Sequence, residues 1–315
     1  MIDVNADRIR RKDLIKLVKE VSRLERKLTR EQNNRTRTEA TKDKLQVLMK
    51  QIHLEIEESH AEIQKKNHEL EILYADLEKE KKKSDDLLLN ILPEEVADEL
   101  KRSGVVAPQH FDSVSVLFTD FKGFTQASEH LAPSQIVAEL DACFTAFDEI
   151  IERHGLEKLK TIGDSYMCAG GIPNEAPTHA VDTMLAALEI RDYMNRLKIQ
   201  RIEEGLPYWE LRIGIHVGPL VAGVIGRRKF AYDIWGDRVN TASRMESSGL
   251  PGMVNVSAAL EQAVSPYFQT SLRGKIPAKN KGEIEMHFVH RLKPEYSSDP
   301  AGIHPNRKVV CYRLS

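Results

Sequence analysis

The chain has 315 residues, with 46 Lys and Arg against 48 Asp and Glu and a net charge of −2, which excludes the basic excess of a general nucleic-acid binder. Hydrophobic residues make up 41% and charged residues 30%, enough apolar mass for a core but more charge than one compact globule needs, so part of the chain is expected to be an extended, solvated element. No apolar run reaches the roughly 18 residues of a membrane span, and the N-terminal MIDVNADRIRRKD lacks the apolar centre of a signal peptide, so a cytoplasmic chain, or the cytosolic portion of a larger receptor, is expected. Three cysteines, Cys143, Cys168 and Cys311, show neither CxxC nor His/Cys metal spacing and read as buried or idle thiols.

From about Lys12 to Asp86 there is no Gly or Pro, and Glu, Lys, Leu and Ile dominate, the composition of a long helix. Leu14, Leu17, Val21, Leu24 and Leu28 alternate spacings of three and four, the a/d rhythm of a coiled coil. The rhythm lapses from Thr29 to Lys44, where a hinge, a docking site or a loop between two helices would each fit. It resumes at Leu45, Leu48 and Ile52, then after a four-residue stutter continues through Ile56, Ile63, Leu70, Leu77 and Ile91. Residues 1–92 are expected to be a parallel dimeric coiled coil, the alternative being a lone helix folded onto the globular part.

Pro93 should end that helix, and residues 93–110 read as a linker or transducer with a short amphipathic segment over Pro93–Arg102. Ser113–Thr119 reads as a buried strand and Ser134–His154 as a helix capped by Ser134 and stopped at Gly155. Leu156–Ala169 reads as a hairpin turning at Gly163-Asp164 and Thr178–Leu197 as a helix. Leu211–Val217 and Leu220–Ile225 read as paired strands about Gly218-Pro219, with a helix starting near Val239. The order β-α-β-β-α-β predicts an α+β, ferredoxin-like domain with one sheet face covered by helices. The glycines Gly214, Gly218, Gly223 and Gly226 lack a P-loop ending and are expected to serve close strand packing in that hairpin; His216 reads as a core or interface residue.

Asp120 follows an apolar strand beside a glycine turn, and Asp164 sits at the proposed hairpin tip. Two carboxylates at neighbouring strand ends suit a hard cation such as Mg²⁺, although two ordinary turn aspartates would look the same. The segments Phe118–Thr125 (FTDFKGFT), Lys160–Met167 (KTIGDSYM) and Tyr232–Arg244 (YDIWGDRVNTASR) together resemble the catalytic domain of class III nucleotidyl cyclases, in that family's order and separation. The resemblance spans about Phe111 to His290 and delimits a catalytic domain at 111–294, with 295–315 as a tail whose last run, Lys308–Leu314, is either a strand or a frayed end.

What the resemblance implies is specific. Asp120 and Asp164 match the family's metal-binding aspartates, with the Phe121 carbonyl as a further ligand, for two Mg²⁺ or Mn²⁺ per site that activate the ribose 3′-hydroxyl and hold the triphosphate. Lys160 and Asp233 match the purine-reading pair; a Lys donor and an Asp acceptor suit adenine, whereas guanylyl members resemble Glu and Cys there. Asn240 and Arg244, one helical turn apart, match the residues that orient the ribose and stabilise charge on the transferred phosphoryl group. Lys279 matches the triphosphate lysine, but Asn280 replaces the usual glycine, so Lys279 and Lys281 both stay candidates. The expected activity is conversion of ATP to 3′,5′-cyclic AMP and pyrophosphate, with a guanylate cyclase or a catalytically silent coiled-coil regulatory module as alternatives. Because the family divides its site between two domains, a homodimer with two composite sites is expected, joined through both the coiled coil and the catalytic domains and answering to an upstream sensor or regulatory protein.

Overall fold

The computed structural model describes residues 4–124, 132–226, 229–279 and 281–309, with side chains from Arg11 onward. The chain divides into two compact units, one ending at Lys83 and the other beginning at Ser84.

The first unit belongs to a single helix, α1 (Val4–Leu89). It runs unbroken through the polar stretch at 29–44, so no loop separates two helices there. The hydroxyls of Thr29, Thr36, Thr38 and Thr41 each donate to the carbonyl one turn back at 2.8–2.9 Å, which satisfies them without breaking the backbone ladder. The a/d residues Leu14, Leu17, Leu24, Leu45 and Leu70 all lie exposed along the isolated helix.

In the second unit α1 ends where expected, the Leu92 amide donating to the Leu88 carbonyl at 3.0 Å just before Pro93. Helix α2 (Glu94–Ser103) follows and is closed by Gly104 at φ +73°, whose amide bonds the Leu100 carbonyl. Then come β1 (Gln109–Lys122), α3 (Pro133–Arg153), β2 (Glu157–Ile162), β3 (Ser165–Gly170), α4 (His179–Glu203) and β4 (Glu210–Ile225). Their sheet order, β2-β3-β1-β4 with every neighbour antiparallel, is the ferredoxin-like plan. Beyond it lie β5 (Ala231–Trp235), α5 (Asp237–Ser247), β6 (Val254–Ser257), α6 (Ala258–Val264), β7 (Phe268–Ala278) and β8 (Gly282–Leu292). These extend the sheet as β4-β6-β8-β7, with β5 pairing the far half of β4.

Alternation along β1 sorts its side chains to two faces. Leu117 joins Phe147, Ile150, Met184, Leu188 and Leu260 in the core under α3, α4 and α6. Val116 and Phe118 face the other way, against Leu92, Val96 and Ala97 around α2 and Ala242 of α5. Both faces are therefore covered by helices, where one was expected.

Three further expectations are corrected. Ser134 is not the cap of α3: Pro133 takes the first helical position, and Gln135 reaches back to accept from the Ala132 amide at 3.1 Å. The segment around Gly218-Pro219 is no hairpin, because β4 continues through it while pairing with β1 on one side, with a bulge of β1 between Phe111 and Val114 opposite Pro219. Proline is tolerated because Pro219 needs no ladder donor at that position, where the other side of β4 passes from β6 to β5. Two of its glycines, Gly214 and Gly218, seat helix α5, whereas Gly223 lies against Pro108, where a Cβ would stand 3.3 Å from the Pro108 Cα. A Cβ on Gly214 would stand 1.8 Å from the Glu246 amide nitrogen, and one on Gly218 would stand 2.9 Å from Arg238 Cγ. The tail beyond Pro294 packs back, Val309 entering the main core and the Leu292 amide bonding the Gly302 carbonyl at 2.8 Å; residues 310–315, with Cys311 and most of the proposed final strand, lie outside the described residues.

Two predictions follow from this packing. Gly214→Ala must drive α5 off β4, so urea denaturation is expected to show a loss of about 1–3 kcal/mol or more. Glu157 on β2 has its carboxyl pushed up to about 7, first by burial and then by Glu95 of α2. Its folded pKa lies above the unfolded one, so its ionisation weakens the fold as pH rises from about 4.5 to about 7. Glu157→Gln should therefore raise Tm at pH 8 and change it little at pH 5.

Candidate active site

Asp120 lies near the end of β1, directly opposite Arg212 of β4 in the strand register, and the two side chains form an ion pair. Asp164 occupies the two-residue β2–β3 turn after Gly163, whose φ of +64° is the left-handed conformation that glycine adopts freely. Because β3 runs antiparallel beside β1, with Thr119 paired to Tyr166, the start of β3 and the end of β1 meet, and the two aspartates with them. The Asp164 carboxyl is held above its ordinary range, first by burial and then by the negative charge of Asp120, while amide hydrogen bonds from Phe121 and from its own backbone oppose that shift. The Phe121 ring is buried, with its centroid 5.3 Å from Trp209 in an edge contact and 6.3 Å from Phe144, which anchors the backbone between the aspartates.

This donor set fits Mg²⁺ or Mn²⁺. It consists of oxygens, and the charge of Asp120 makes ionising Asp164 costlier in a way a cation would relieve. Among the described residues no cluster of three or more His, Cys, Asp or Glu side chains is placed to hold a metal, so the remaining ligands would come from water, backbone or phosphate, as Mg²⁺ prefers.

Lys160 of β2 and Asp233 of β5 are 73 residues apart in sequence yet form an ion pair. Asp233 also accepts from the Ile234 amide at 2.9 Å through its other oxygen, which fixes the carboxylate. On α5, Asn240 is exposed and Arg244 half-buried, one turn apart on the same helix. Lys279 is exposed in the β7–β8 turn, whereas Lys281 is engaged with Asp237 at the start of α5; Asn280 lies outside the described residues. His216 is 5% exposed with Nδ1 2.7 Å from Ser257 Oγ. Burial, aided by Arg238 and Lys281, takes its pKa down to about 4, which keeps it neutral.

Two residues were missed from the sequence. Arg212 also lies 3.0 Å through Nε from Glu246 Oε1 of α5, without the alignment of a hydrogen bond. Glu246 is 8% exposed, and its carboxyl is pushed up to about 7 by burial, with Arg212 opposing the shift and Asp120 and Asp164 adding to it. The available signal was a charge inside an otherwise apolar strand, Leu211-Arg212-Ile213, since such a residue needs a partner.

Residues 106–291 match the family model described as adenylate and guanylate cyclase catalytic domain, and residues 39–100 match one described as heme NO binding associated. The chain is 40% identical over 226 residues to a receptor-type guanylate cyclase, gcy-5, of Caenorhabditis elegans, covering 70% of this chain and 20% of that protein. It is 38% identical over 231 residues to an adenylate cyclase of Mycobacterium tuberculosis, covering 73% of this chain and 51% of that protein. The chain thus spans between about a fifth and about half of these relatives. Among solved structures, the guanylate cyclase domain of RhGC from Catenaria anguillulae, in complex with GTP, aligns with TM-score 0.54 and 31% identity over 59% of this chain and all of that one. The adenylyl cyclase CyaB of P. aeruginosa aligns with TM-score 0.57 and 26% identity over 61% of this chain and all of that one. Sheet order, paired aspartates and family match agree: the chain belongs to the class III nucleotidyl cyclases, with their catalytic domain in its C-terminal unit and a long helix before it.

Proposed function

We propose that the protein is an adenylate cyclase, converting ATP to 3′,5′-cyclic AMP and pyrophosphate in composite sites of a homodimer. The observation that carries the choice of base is the Lys160–Asp233 pair, a cationic donor beside a fixed carboxylate acceptor. Adenine offers the complement, an acceptor at N1 and a donor at N6, while guanine reverses both. Relatives of both specificities share the fold, so the pair, not the overall likeness, supports ATP.

In this reading Asp120, Asp164 and the Phe121 carbonyl would hold two Mg²⁺ or Mn²⁺, whose charge would acidify the ribose 3′-hydroxyl and offset that of the triphosphate. Asn240 orients the ribose, and Arg244 meets charge developing on the α-phosphoryl group. Lys279 takes the triphosphate, because Lys281 is already committed to Asp237. One chain would lend its aspartates to one site and its Lys160, Asp233, Asn240, Arg244 and Lys279 to the other. The exposed a/d row of α1 supports pairing through a coiled coil, and the 39–100 match supports an upstream sensor or regulatory partner. No helix among the described residues is long and apolar enough to cross a membrane, which accords with a catalytic unit working in the cytoplasm.

Purified protein with Mn²⁺ is expected to turn ATP over in preference to GTP, with specific activity rising as dimer forms. Cyclic GMP as main product would replace the purine assignment, and silence with both nucleotides in a confirmed dimer would favour a regulatory module. Lys160→Glu combined with Asp233→Cys should lower the ATP-to-GTP preference by at least about tenfold. Asp120→Ala and Arg244→Ala homodimers should each lose about 100-fold or more in kcat. Mixing them should restore about half of wild-type activity per mixed dimer, since one of its two sites is complete; mixed dimers that stay inactive would refute composite sites.

A further inference from the structure

Asp120, Arg212 and Glu246 form a line of charges that crosses from β1 over β4 to α5. The two ends of that line belong to different parts of the chemistry. Asp120 is one of the cation-facing aspartates, whereas α5 carries Asn240 and Arg244. We infer that Glu246 is a positioning residue for Asp120, acting through Arg212, so that the seating of α5 sets the carboxylate end of the same chain's half-site. The inference rests on the composite-site reading above, under which that half-site is completed by the α5 of the other chain.

Three observations carry it. Arg212 is the register partner of Asp120 across β1 and β4, so the guanidinium reaches its carboxylate from a fixed strand position and engages one oxygen, Oδ2. Glu246 in turn has no freedom to follow a drifting arginine. The backbone of α5 rests on β4 at Gly214, where a Cβ would meet the Glu246 nitrogen at 1.8 Å and its Cα at 2.3 Å. Finally, the arrangement is a poor device for stability alone. A carboxylate 8% exposed loses most of its hydration, and its contact with Arg212 at 3.0 Å lacks hydrogen-bond alignment; buried ion pairs of this kind add little over apolar packing. They do orient what they touch, as the outer partners of metal ligands do.

A structural and a positioning role make different demands on where the residue sits in a mixed dimer. An Arg244→Ala chain keeps its aspartates, and an Asp164→Ala chain keeps its Asn240 and Arg244, so their mixed dimer has one complete site. Glu246→Gln is nearly isosteric and can be placed on either chain. On the Arg244→Ala chain it lies beside the Asp120 that serves the complete site. On the Asp164→Ala chain it lies on the α5 that lends Asn240 and Arg244. Mn²⁺ binding is read by electron paramagnetic resonance in the presence of 3′-deoxyATP, which lacks the attacking hydroxyl, and the Mn²⁺ concentration for half-maximal turnover is measured alongside with ATP.

Placement beside the working Asp120 is expected to weaken Mn²⁺ binding by about 10-fold, while the other placement leaves it within about twofold. Equal effects in both placements, or none in the first, would overturn the inference, since a loss of α5 packing does not distinguish the two chains. If the parent mixed dimer is inactive before Glu246 is changed, the composite-site reading is what has failed. In that event Mn²⁺ binding to wild-type and Glu246→Gln homodimers decides the matter: a loss of about 10-fold keeps Glu246 as the positioning residue, and unchanged binding removes it.

Discussion

The backbone contact between α5 and β4 over Gly214 is the constraint on which the rest of the catalytic unit depends. It is possible only because position 214 has no side chain, and it fixes at once the depth of Ala242 and Met245, the exposure of Asn240 and the reach of Glu246. Strand β4 is 16 residues long and pairs with β1 along nearly its whole length, with β6 in its first half and with β5 in its second. It therefore holds in one rigid frame the strand that carries Asp120, the strand that carries Asp233 and the helix that carries Arg244. Interiors packed to this density transmit displacement rather than absorb it.

Charge in this unit is arranged by the same frame. The two aspartates at the end of β1 and the start of β3 repel each other, and the fold tolerates them beside Arg212 and two amide donors. Lys160 and Asp233 come from strands on opposite sides of β1 and β4 and meet as a pair. The negative charge of Glu95 on α2 adds to burial in holding the Glu157 carboxyl of β2 up, and Glu95 accepts from Asn174 beyond β3. Helix α2 follows the long helix in the chain, and the charge of its Glu95 is felt by Glu157 on β2, the strand that also carries Lys160.

The long helix obeys other rules. Its ladder satisfies its internal backbone groups, and across the threonine-rich stretch, where no apolar seam exists, hydroxyls bond carbonyls one turn back without breaking that ladder. Its exposed leucines state a need for a partner, because apolar side chains in water gain by association.

Local chemistry made several features legible in advance. The length of α1 and its end at Pro93, the glycine turn that presents Asp164 and the ferredoxin-like order each follow from a few adjacent residues and their periodicity, while the three motif segments are legible through their resemblance to a known family. Ser134 has the chemistry of a cap for α3, yet Pro133 and Gln135 start that helix instead. Gly218-Pro219 has the composition of a turn but lies inside a strand, because helix seating requires the glycine and the bulge of β1 opposite spares the proline. What the sequence determined by itself was the identity of the elements and the charged and polar side chains carried by the three motif segments. What only the tertiary structure decided was which side chains meet: Arg212 with both Asp120 and Glu246, Lys160 with Asp233, and Lys281 with Asp237. Those pairs are separated by between 34 and 92 residues of chain, and their contact depends on sheet order and helix depth, which no local pattern encodes.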